Sequence, residues 1–104
     1  MEQPIELLRN WRKLISNLSL DEYSEVYVFG SVVEGKITGY SDIDVLVIIP
    51  SKKDKLQYLL KFYDEVEKKL GEKISYLFDV KVIYPEEKSV PPYSWFLKKS
   101  IKIK

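Results

Sequence analysis

The chain has 104 residues, of which 45% are hydrophobic, and its 17 basic and 16 acidic residues give a formal net charge of +1. This length predicts one domain over residues 1–104, and the near-zero charge disfavours general attraction to nucleic acid or to an anionic membrane. The absence of cysteine and histidine excludes disulfides, thiolate or imidazole metal sites and histidine-based catalysis, so any reaction must use carboxylates, hydroxyls and lysines.

The first half of the chain predicts a helix followed by two strands. Apolar residues recur at helical spacing from residue 4 to about residue 18, which predicts one amphipathic helix. Residues 25–29 are β-branched and aromatic and stop at Gly30-Ser31, so they predict a short strand that ends in a turn. A short helix is expected over residues 32–37. The apolar run in residues 42–49 predicts a strand buried at the centre of a sheet.

The second half predicts a long helix, a strand and a short helical segment. Ser51 is the expected N-cap and Gly71 the expected C-terminal cap of the long helix. Its apolar face is expected to comprise Leu56, Leu59, Leu60, Tyr63, Val66 and Leu70. Residues 77–83 predict a third strand, and residues 93–99 one or two helical turns after Pro91-Pro92. This order predicts an α/β (α+β) fold, a small mixed sheet of about three strands with flanking helices.

Two further features of the sequence have alternative interpretations. The Lys-rich tail is expected to be a solvated terminus, with RNA or an acidic partner as the alternative ligand. The aromatic residues are expected to pack in the core and against helices rather than to form a base-stacking surface, with an apolar partner interface as the alternative; they are Trp11, Tyr93, Trp95 and Phe96.

Membrane association is not expected. The longest apolar run is too short to cross a bilayer, and the N-terminus, with Glu2 and Glu6, lacks the pattern of a signal peptide. We therefore expect a cytoplasmic protein with no membrane partner. Abundant Lys and Glu with few Asn and Gln is also a composition found in proteins of thermophiles.

Three acids are candidate metal ligands. Asp42 and Asp44 lie two positions apart at the start of a predicted strand, so they project from the same face. If the strand over residues 77–83 pairs with this one, Asp79 stands beside Asp44. A donor set made only of oxygen favours Mg²⁺ or Mn²⁺. The alternatives are solvated or helix-capping acids at Asp42 and Asp44, and an ordinary ion pair between Asp79 and Lys81.

A candidate phosphate site lies upstream of these acids. Gly30 allows close approach of backbone to a ligand, Ser31 offers a hydroxyl and an amide, and a helix that starts at Val32 would add free N–H groups. Lys81 is an alternative contact for a phosphate. Metal ligands beside phosphate donors are typical of a nucleoside triphosphate site.

These residues resemble a known family. Gly30-Ser31, ten intervening residues and Asp42-Ile43-Asp44 resemble the Gly-Ser-x10-Asp-x-Asp signature of the minimal nucleotidyltransferases, a branch of the DNA polymerase beta superfamily. The resemblance covers residues 26–83 and includes Ser41, before the first Asp, and Asp79 downstream. It implies a polymerase beta-like nucleotidyltransferase fold.

The resemblance also implies an activity and a site. The activity is transfer of AMP from ATP, or of another NMP from its NTP, to an acceptor hydroxyl with Mg²⁺ or Mn²⁺. The metals would be held by Asp42, Asp44 and Asp79, of which Asp79 helps to deprotonate the acceptor, and Gly30 and Ser31 would grip the β- and γ-phosphates. We add Ser41 and Lys81 as candidate nucleotide-binding residues.

The family resemblance further implies a partner. Members of this branch are often encoded beside a HEPN-domain protein and act as its antitoxin, and some attach AMP to a tyrosine of the HEPN ribonuclease. The implied role is therefore that of an antitoxin in a type VII-like toxin–antitoxin pair. The alternative is a non-catalytic binding module that neutralises a toxin by complex formation. The sequence leaves open the acceptor, the nucleobase, a nucleic-acid partner, and a homo- or hetero-oligomeric state.

Overall fold

The computed structural model describes residues 4–104, which form a four-stranded mixed sheet with flanking helices. The sheet order is β3-β2-β1-β4, with β2 parallel to β3 and antiparallel to β1. The strands are β1 (Glu25–Phe29), β2 (Ile43–Ile48), β3 (Phe78–Ile83) and β4 (Ile101–Lys102). The expected mixed α/β architecture is confirmed, but the sheet has four strands rather than the three that we predicted.

The helices are mostly short. They are α1 (Pro4–Arg9), α2 (Trp11–Ser16), α3 (Ser31–Glu34), α4 (Lys55–Leu70), α5 (Glu72–Ser75) and α6 (Tyr93–Lys98), with a 3-10 helix over Pro85–Ser89. None of these helices of residues 4–104 has the length and apolar character needed to span a membrane.

Strand β2 runs through the middle of the sheet, as its apolar sequence predicts. Because successive side chains of a strand point to opposite faces, β2 contributes to two separate hydrophobic clusters. Ile43, Val45 and Val47 pack on one side with residues of α1, α2 and α4. Leu46 and Ile48 pack on the other side with a smaller cluster that includes Phe96 of α6. We call the first side the helical face and the second the acid face, which also carries Phe29, Asp44, Asp79 and Lys81.

The first predicted helix is divided in two at Asn10. The backbone of Asn10 has φ −94° and ψ 22°, outside the helical region, and its N–H bonds to the carbonyls of Glu6 and Leu7. Asparagine has a low helix propensity, and here it separates two helices that both contribute buried residues to the helical face. The prediction of one continuous helix was therefore wrong only at this position.

Helix α4 begins three residues later than the predicted cap implied. Asp54, not Ser51, is the N-cap, and its carboxylate accepts hydrogen bonds from the N–H groups of Leu56 and Gln57 at 3.0 and 3.4 Å. The Ser51 hydroxyl instead donates to Glu86. Leu56 and Leu60 of the predicted apolar face are about 60% exposed, contrary to our prediction, whereas Phe62 joins Val66 in the core.

The Lys-rich tail is structured, contrary to our prediction. Ile101 and Lys102 pair with Val28 and Tyr27 as β4, which covers the outer edge of β1. The Lys104 ammonium group donates to the carbonyls of Leu20, Asp21 and Tyr23, three residues of the segment before β1. The tail therefore protects a sheet edge that would otherwise expose unpaired backbone groups.

Candidate active site

Two acids are placed side by side by the parallel register of β2 and β3. Asp44 is directly opposite Asp79, and neighbouring strands lie about 4.8 Å apart. Burial, followed by the charge of Asp79, raises the pKa of Asp44 to about 6, while Lys81 acts in the opposite direction. Folding thus holds two carboxylates together without full charge compensation.

Lys81 supplies the compensation that is present. Its ammonium nitrogen lies 3.1 Å from Oδ2 of Asp79, the ion pair that we considered as the alternative to a metal role. The Asp79 side chain is 49% exposed and that of Lys81 is 35% exposed, so both remain accessible from solvent. The same nitrogen lies 5.9 Å from the ring centres of both Phe29 and Phe96, which are stacked on each other at 4.5 Å. An aromatic wall and a carboxylate therefore fix the position of this cation.

Asp42 and Ser41 lie just before β2 begins. Asp42 is exposed. Its charge raises the pKa of Asp44, but the charge of Asp79 has the larger effect on that pKa. The Ser41 hydroxyl accepts a hydrogen bond from the N–H of Thr38 at 2.9 Å and so closes the loop before the strand. Within residues 4–104, no three acidic side chains are grouped closely enough to form a metal cluster. The structure thus brings Asp44 and Asp79 together and leaves Asp42 at the rim.

Gly30 connects the strand to the acids. It follows β1 with φ 84° and ψ −156°, a conformation that is essentially restricted to glycine. A Cβ atom at this position would lie 2.2 Å from Oδ2 of Asp44. Only a residue without a side chain therefore lets the turn before α3 pass over the Asp44 carboxylate. Ser31 begins α3, where the first backbone N–H groups of a helix lack intrahelical acceptors.

A cavity of about 210 Å³ opens next to Gly30. Its walls are largely aromatic, and Glu34 and Lys99 lie at its rim with their charged groups 3.8 Å apart. Trp95, which we expected in the core, lines this cavity and is 62% exposed. Neither Glu34 nor Lys99 follows from the sequence as a site residue, because their contact arises only when the end of α6 packs beside α3. The complete lining is Phe29, Gly30, Glu34, Trp95, Phe96 and Lys99.

The donor set fits a hard divalent cation. Asp44 and Asp79 present carboxylate oxygens at adjacent strand positions, with Asp42 two residues upstream. Oxygen ligands are those preferred by Mg²⁺ and Mn²⁺, and a cation would relieve the repulsion from Asp79, which adds to the effect of burial in raising the pKa of Asp44. The cavity shares only Gly30 with this region, because neither Asp44 nor Asp79 is among the residues that line it.

Comparison with known proteins identifies the family and the fold. The model of a family described as a nucleotidyltransferase domain matches residues 8–104. The fold is similar to the crystal structure of a protein from Sulfolobus solfataricus that is provisionally assigned as a nucleotidyltransferase, with a TM-score of 0.54 and 20% sequence identity. That match covers 94% of this chain and 79% of the other. No curated protein sequence matches the chain.

Proposed function

Because this chain belongs to the nucleotidyltransferase domain family, we propose that it transfers AMP from ATP, or another NMP from its NTP, to an acceptor hydroxyl. The observation that carries this proposal is the close approach of Gly30 to Asp44 opposite Asp79. It joins the candidate phosphate-binding turn and the candidate metal ligands in one place. The spacing Gly-Ser-x10-Asp-x-Asp between them supports the same assignment.

In the proposed reaction, each group of the site has a distinct task. Asp44 and Asp79, joined by Asp42 after its exposed side chain turns towards them, would hold Mg²⁺ or Mn²⁺, which would neutralise phosphate charge and polarise the α-phosphate. The backbone around Gly30 and Ser31 binds the β- and γ-phosphates. The acceptor oxygen forms a bond to the α-phosphorus as the bond to pyrophosphate breaks, and Asp79 takes the acceptor proton. Positioning and charge neutralisation supply most of the rate enhancement in this type of reaction.

Lys81 has a task in both states of the site. In the free protein its ammonium group compensates Asp79 at 3.1 Å. When a divalent cation binds to the acids, this compensation becomes unnecessary, and the long lysine side chain is free to contact a phosphate oxygen. We therefore place Lys81 among the nucleotide-binding residues, together with Ser41, which shapes the loop that presents Asp42.

The acceptor that we propose is a tyrosine of a HEPN-domain toxin, which makes the chain the antitoxin of a toxin–antitoxin pair. Two features support a protein acceptor. Asp79 is half exposed and Asp42 is exposed at one end of the acid face, and an aromatic cavity next to Gly30 offers a surface for a planar side chain. The exposed Trp95 adds to this surface.

Incubation with α-³²P-labelled ATP, Mg²⁺ and the product of the neighbouring gene tests the activity. We expect label and the mass of one or more AMP units on the partner, and no label from γ-³²P-labelled ATP. Asp44→Asn should abolish transfer. Asp54→Asn is the matched control, because asparagine also caps helices and Asp54 lies at the start of α4. Absence of transfer by the wild type, or equal transfer by Asp44→Asn, would contradict the proposal.

One observation favours a second candidate function. The ion pair between Lys81 and Asp79 compensates one acid within the chain itself, as expected of a fold retained for binding. In that case the protein neutralises the toxin by complex formation alone. Asp44→Asn would then still suppress toxin activity at a one-to-one ratio, whereas an antitoxin that works by catalysis would lose suppression.

A further inference from the structure

Strand β3 forms one outer edge of the sheet, with β2 as its only neighbouring strand among the described residues. In a parallel pair, a given residue directs its N–H and C=O to the same neighbouring strand, and successive residues alternate. The carbonyls of Leu77 and Ile83 accept hydrogen bonds from Ile43 and Ile49 at the two ends of β2. By this alternation the backbone N–H and C=O of Asp79 point towards β2. The backbone N–H and C=O of Phe78 and Val80 point outwards from the edge of the sheet.

A side chain from α4 bonds to both of these outward groups. The Tyr63 hydroxyl donates to the carbonyl oxygen of Phe78 at 2.9 Å and accepts from the N–H of Val80 at 3.3 Å. Phe78 and Val80 are the two residues that flank Asp79. The backbone around Asp79 is therefore held from both sides, by the β2 ladder and by one phenol.

We propose that Tyr63 is a positioning residue for Asp79, fixing the direction of its carboxylate by bracing the backbone on either side of it. This role rests on the function proposed above, in which Asp79 holds metal and takes the acceptor proton. In an edge strand without such a contact, the outward N–H and C=O groups have no protein partner and bond to water instead. Tyr63 acts through Asp79 and needs no contact with substrate.

The electrostatic surroundings of Tyr63 agree with this placement. Burial raises the pKa of its phenol, and the charges of Asp79 and Asp42 add to the increase, while the hydrogen bond from Val80 opposes it. The phenol is thus within electrostatic reach of both acids. It remains protonated in neutral solution and keeps its donor for the carbonyl of Phe78.

Two matched substitutions test the brace in the free protein. Tyr63→Phe removes only the hydroxyl. Tyr84→Phe also removes a hydroxyl that donates to a backbone carbonyl, that of Lys53 at 2.7 Å. Tyr84 lies five residues beyond Asp79, about 16 Å along an extended strand. We expect faster amide hydrogen exchange at Val80 and a shifted Asp79 carboxyl ¹³C resonance in Tyr63→Phe, and neither change in Tyr84→Phe.

A double-mutant cycle tests the link to the proposed site. With an α,β-methylene analogue of ATP bound, Tyr63→Phe should weaken Mn²⁺ binding by up to about tenfold, the lower end of the loss seen when a direct partner of a metal ligand is removed, because Tyr63 acts on Asp79 through the backbone. In an Asp79→Asn background the same substitution should change Mn²⁺ affinity less than twofold, because its effect passes through the missing carboxylate. Tyr84→Phe should leave the affinity unchanged in both backgrounds.

The outcomes separate the two proposals. Equal Mn²⁺ affinity in the wild type and Tyr63→Phe, or an equal loss in both tyrosine variants, overturns the positioning role. The same conclusion follows if Tyr63→Phe lowers Mn²⁺ affinity by the same factor in the Asp79→Asn background as in the wild type. If the wild type binds no Mn²⁺ with the analogue, the proposed function fails, and an Asp79 resonance unchanged by Tyr63→Phe then overturns the brace on its own.

Discussion

The two faces of the sheet use the same three long strands for different purposes. On the helical face, alternate residues of β1, β2 and β3 are valines, isoleucine and phenylalanine, nearly all of them buried. On the acid face, the alternate residues at one end of these strands are Phe29, Asp44 and Asp79, and the acids keep substantial exposure. Because strand side chains alternate, neither face constrains the composition of the other.

In β2, the residues that stabilise the fold and the residue proposed to take part in the reaction therefore lie on opposite sides of the strand. Ile43 and Val45 are completely buried, while the pKa of Asp44 between them is raised by burial and, to a lesser extent, by the charge of Asp79. The cost of placing two carboxylates together is offset by apolar burial one residue away on either side. A substitution on the helical face should therefore cost stability, and one at the acids should cost function.

The two tryptophans give the largest expected contrast. Trp11 is 5% exposed and lies in the cluster of the helical face, whereas Trp95 lines the cavity on the acid face. We expect Trp11→Ala to lower the free energy of unfolding by about 3–5 kcal/mol and Trp95→Ala to change it by about 0.5 kcal/mol. Urea denaturation followed by circular dichroism measures both. Similar losses in the two variants would show that the faces do not differ in this way.

Gly30→Ala should have the next largest effect, because it disturbs the acid face through the backbone. A methyl group there meets Asp44 Oδ2, and the backbone conformation adds strain of about 1–3 kcal/mol. Gly35 also has a positive φ, of 75°, but a Cβ there meets no atom within 4 Å. Gly35→Ala should therefore cost only about 1 kcal/mol.

The contribution of the contact between a side chain at residue 30 and the Asp44 carboxylate can be separated from backbone strain in an Asp44→Ala background. Asp44→Ala removes the carboxylate that the new methyl group would meet. We expect Gly30→Ala to cost less stability in Asp44→Ala than in the wild type, by denaturant unfolding. An identical cost in both backgrounds would assign the entire effect to backbone strain.

The sequence predicts the three long strands because their signal is local. Runs of β-branched and aromatic residues end at glycine or proline, and β1, β2 and β3 lie within one residue of the predicted ranges at each end. Strand β4 has only two residues and forms because the tail reaches the edge of β1, which is a tertiary contact that local patterns do not encode. Ser51 and Asp54 are both good caps; the structure uses Asp54, while the Ser51 hydroxyl bonds to Glu86, a contact that the local sequence does not encode.

The candidate site could be predicted only as far as strand pairing allowed. The motif spacing and the strand over residues 77–83 led to Asp79 beside Asp44, and the parallel register shows this adjacency. The sequence also offered the pairing of Asp79 with Lys81, which the structure contains. The passage of Gly30 over Asp44 and the hydrogen bonds of Tyr63 depend on how whole elements pack, and nothing in the order of residues indicates them.

Asp44→Asn should stabilise the metal-free protein while abolishing transfer. The pKa of Asp44 is raised from 3.8 to about 6, which corresponds to about 3 kcal/mol for a fully buried group. Partial exposure reduces this to about 1 kcal/mol. We therefore expect Asp44→Asn to unfold at higher urea concentration than the wild type at pH 7.5 in EDTA. A less stable variant would show that the carboxylate contributes favourable contacts to the free protein.

The gain from Asp44→Asn should also depend on pH. A carboxyl group whose pKa is higher in the folded than in the unfolded state favours folding at low pH, and this contribution is lost as pH rises through 6. The wild type should therefore approach the stability of Asp44→Asn as pH falls from 7.5 to 5. Comparing the two proteins at each pH cancels the contributions of other acids such as Glu25, whose pKa is lowered.

Lys81→Met should have the smallest effect on stability and a specific effect on metal binding. The ion pair with Asp79 is partly exposed, so its loss should change the free energy of unfolding by less than about 1 kcal/mol. Methionine retains an apolar chain against Phe29 and Phe96 but removes the cation that competes for Asp79. We expect Mn²⁺ to bind several-fold more tightly in the absence of nucleotide, as measured by electron paramagnetic resonance.

Lys55→Met provides the matched control for Lys81→Met. Lys55 also combines an ion pair, 2.6 Å to Glu87, with an aromatic ring, that of Tyr84 at 4.4 Å, but it lies at the start of α4. The same loss of one positive charge should leave Mn²⁺ affinity unchanged there. Tighter binding in both variants would indicate only a change in net charge. Weaker binding in Lys81→Met alone would mean that the lysine supports the metal site rather than competing with it, because its charge would then hold Asp79 in the geometry that the cation needs.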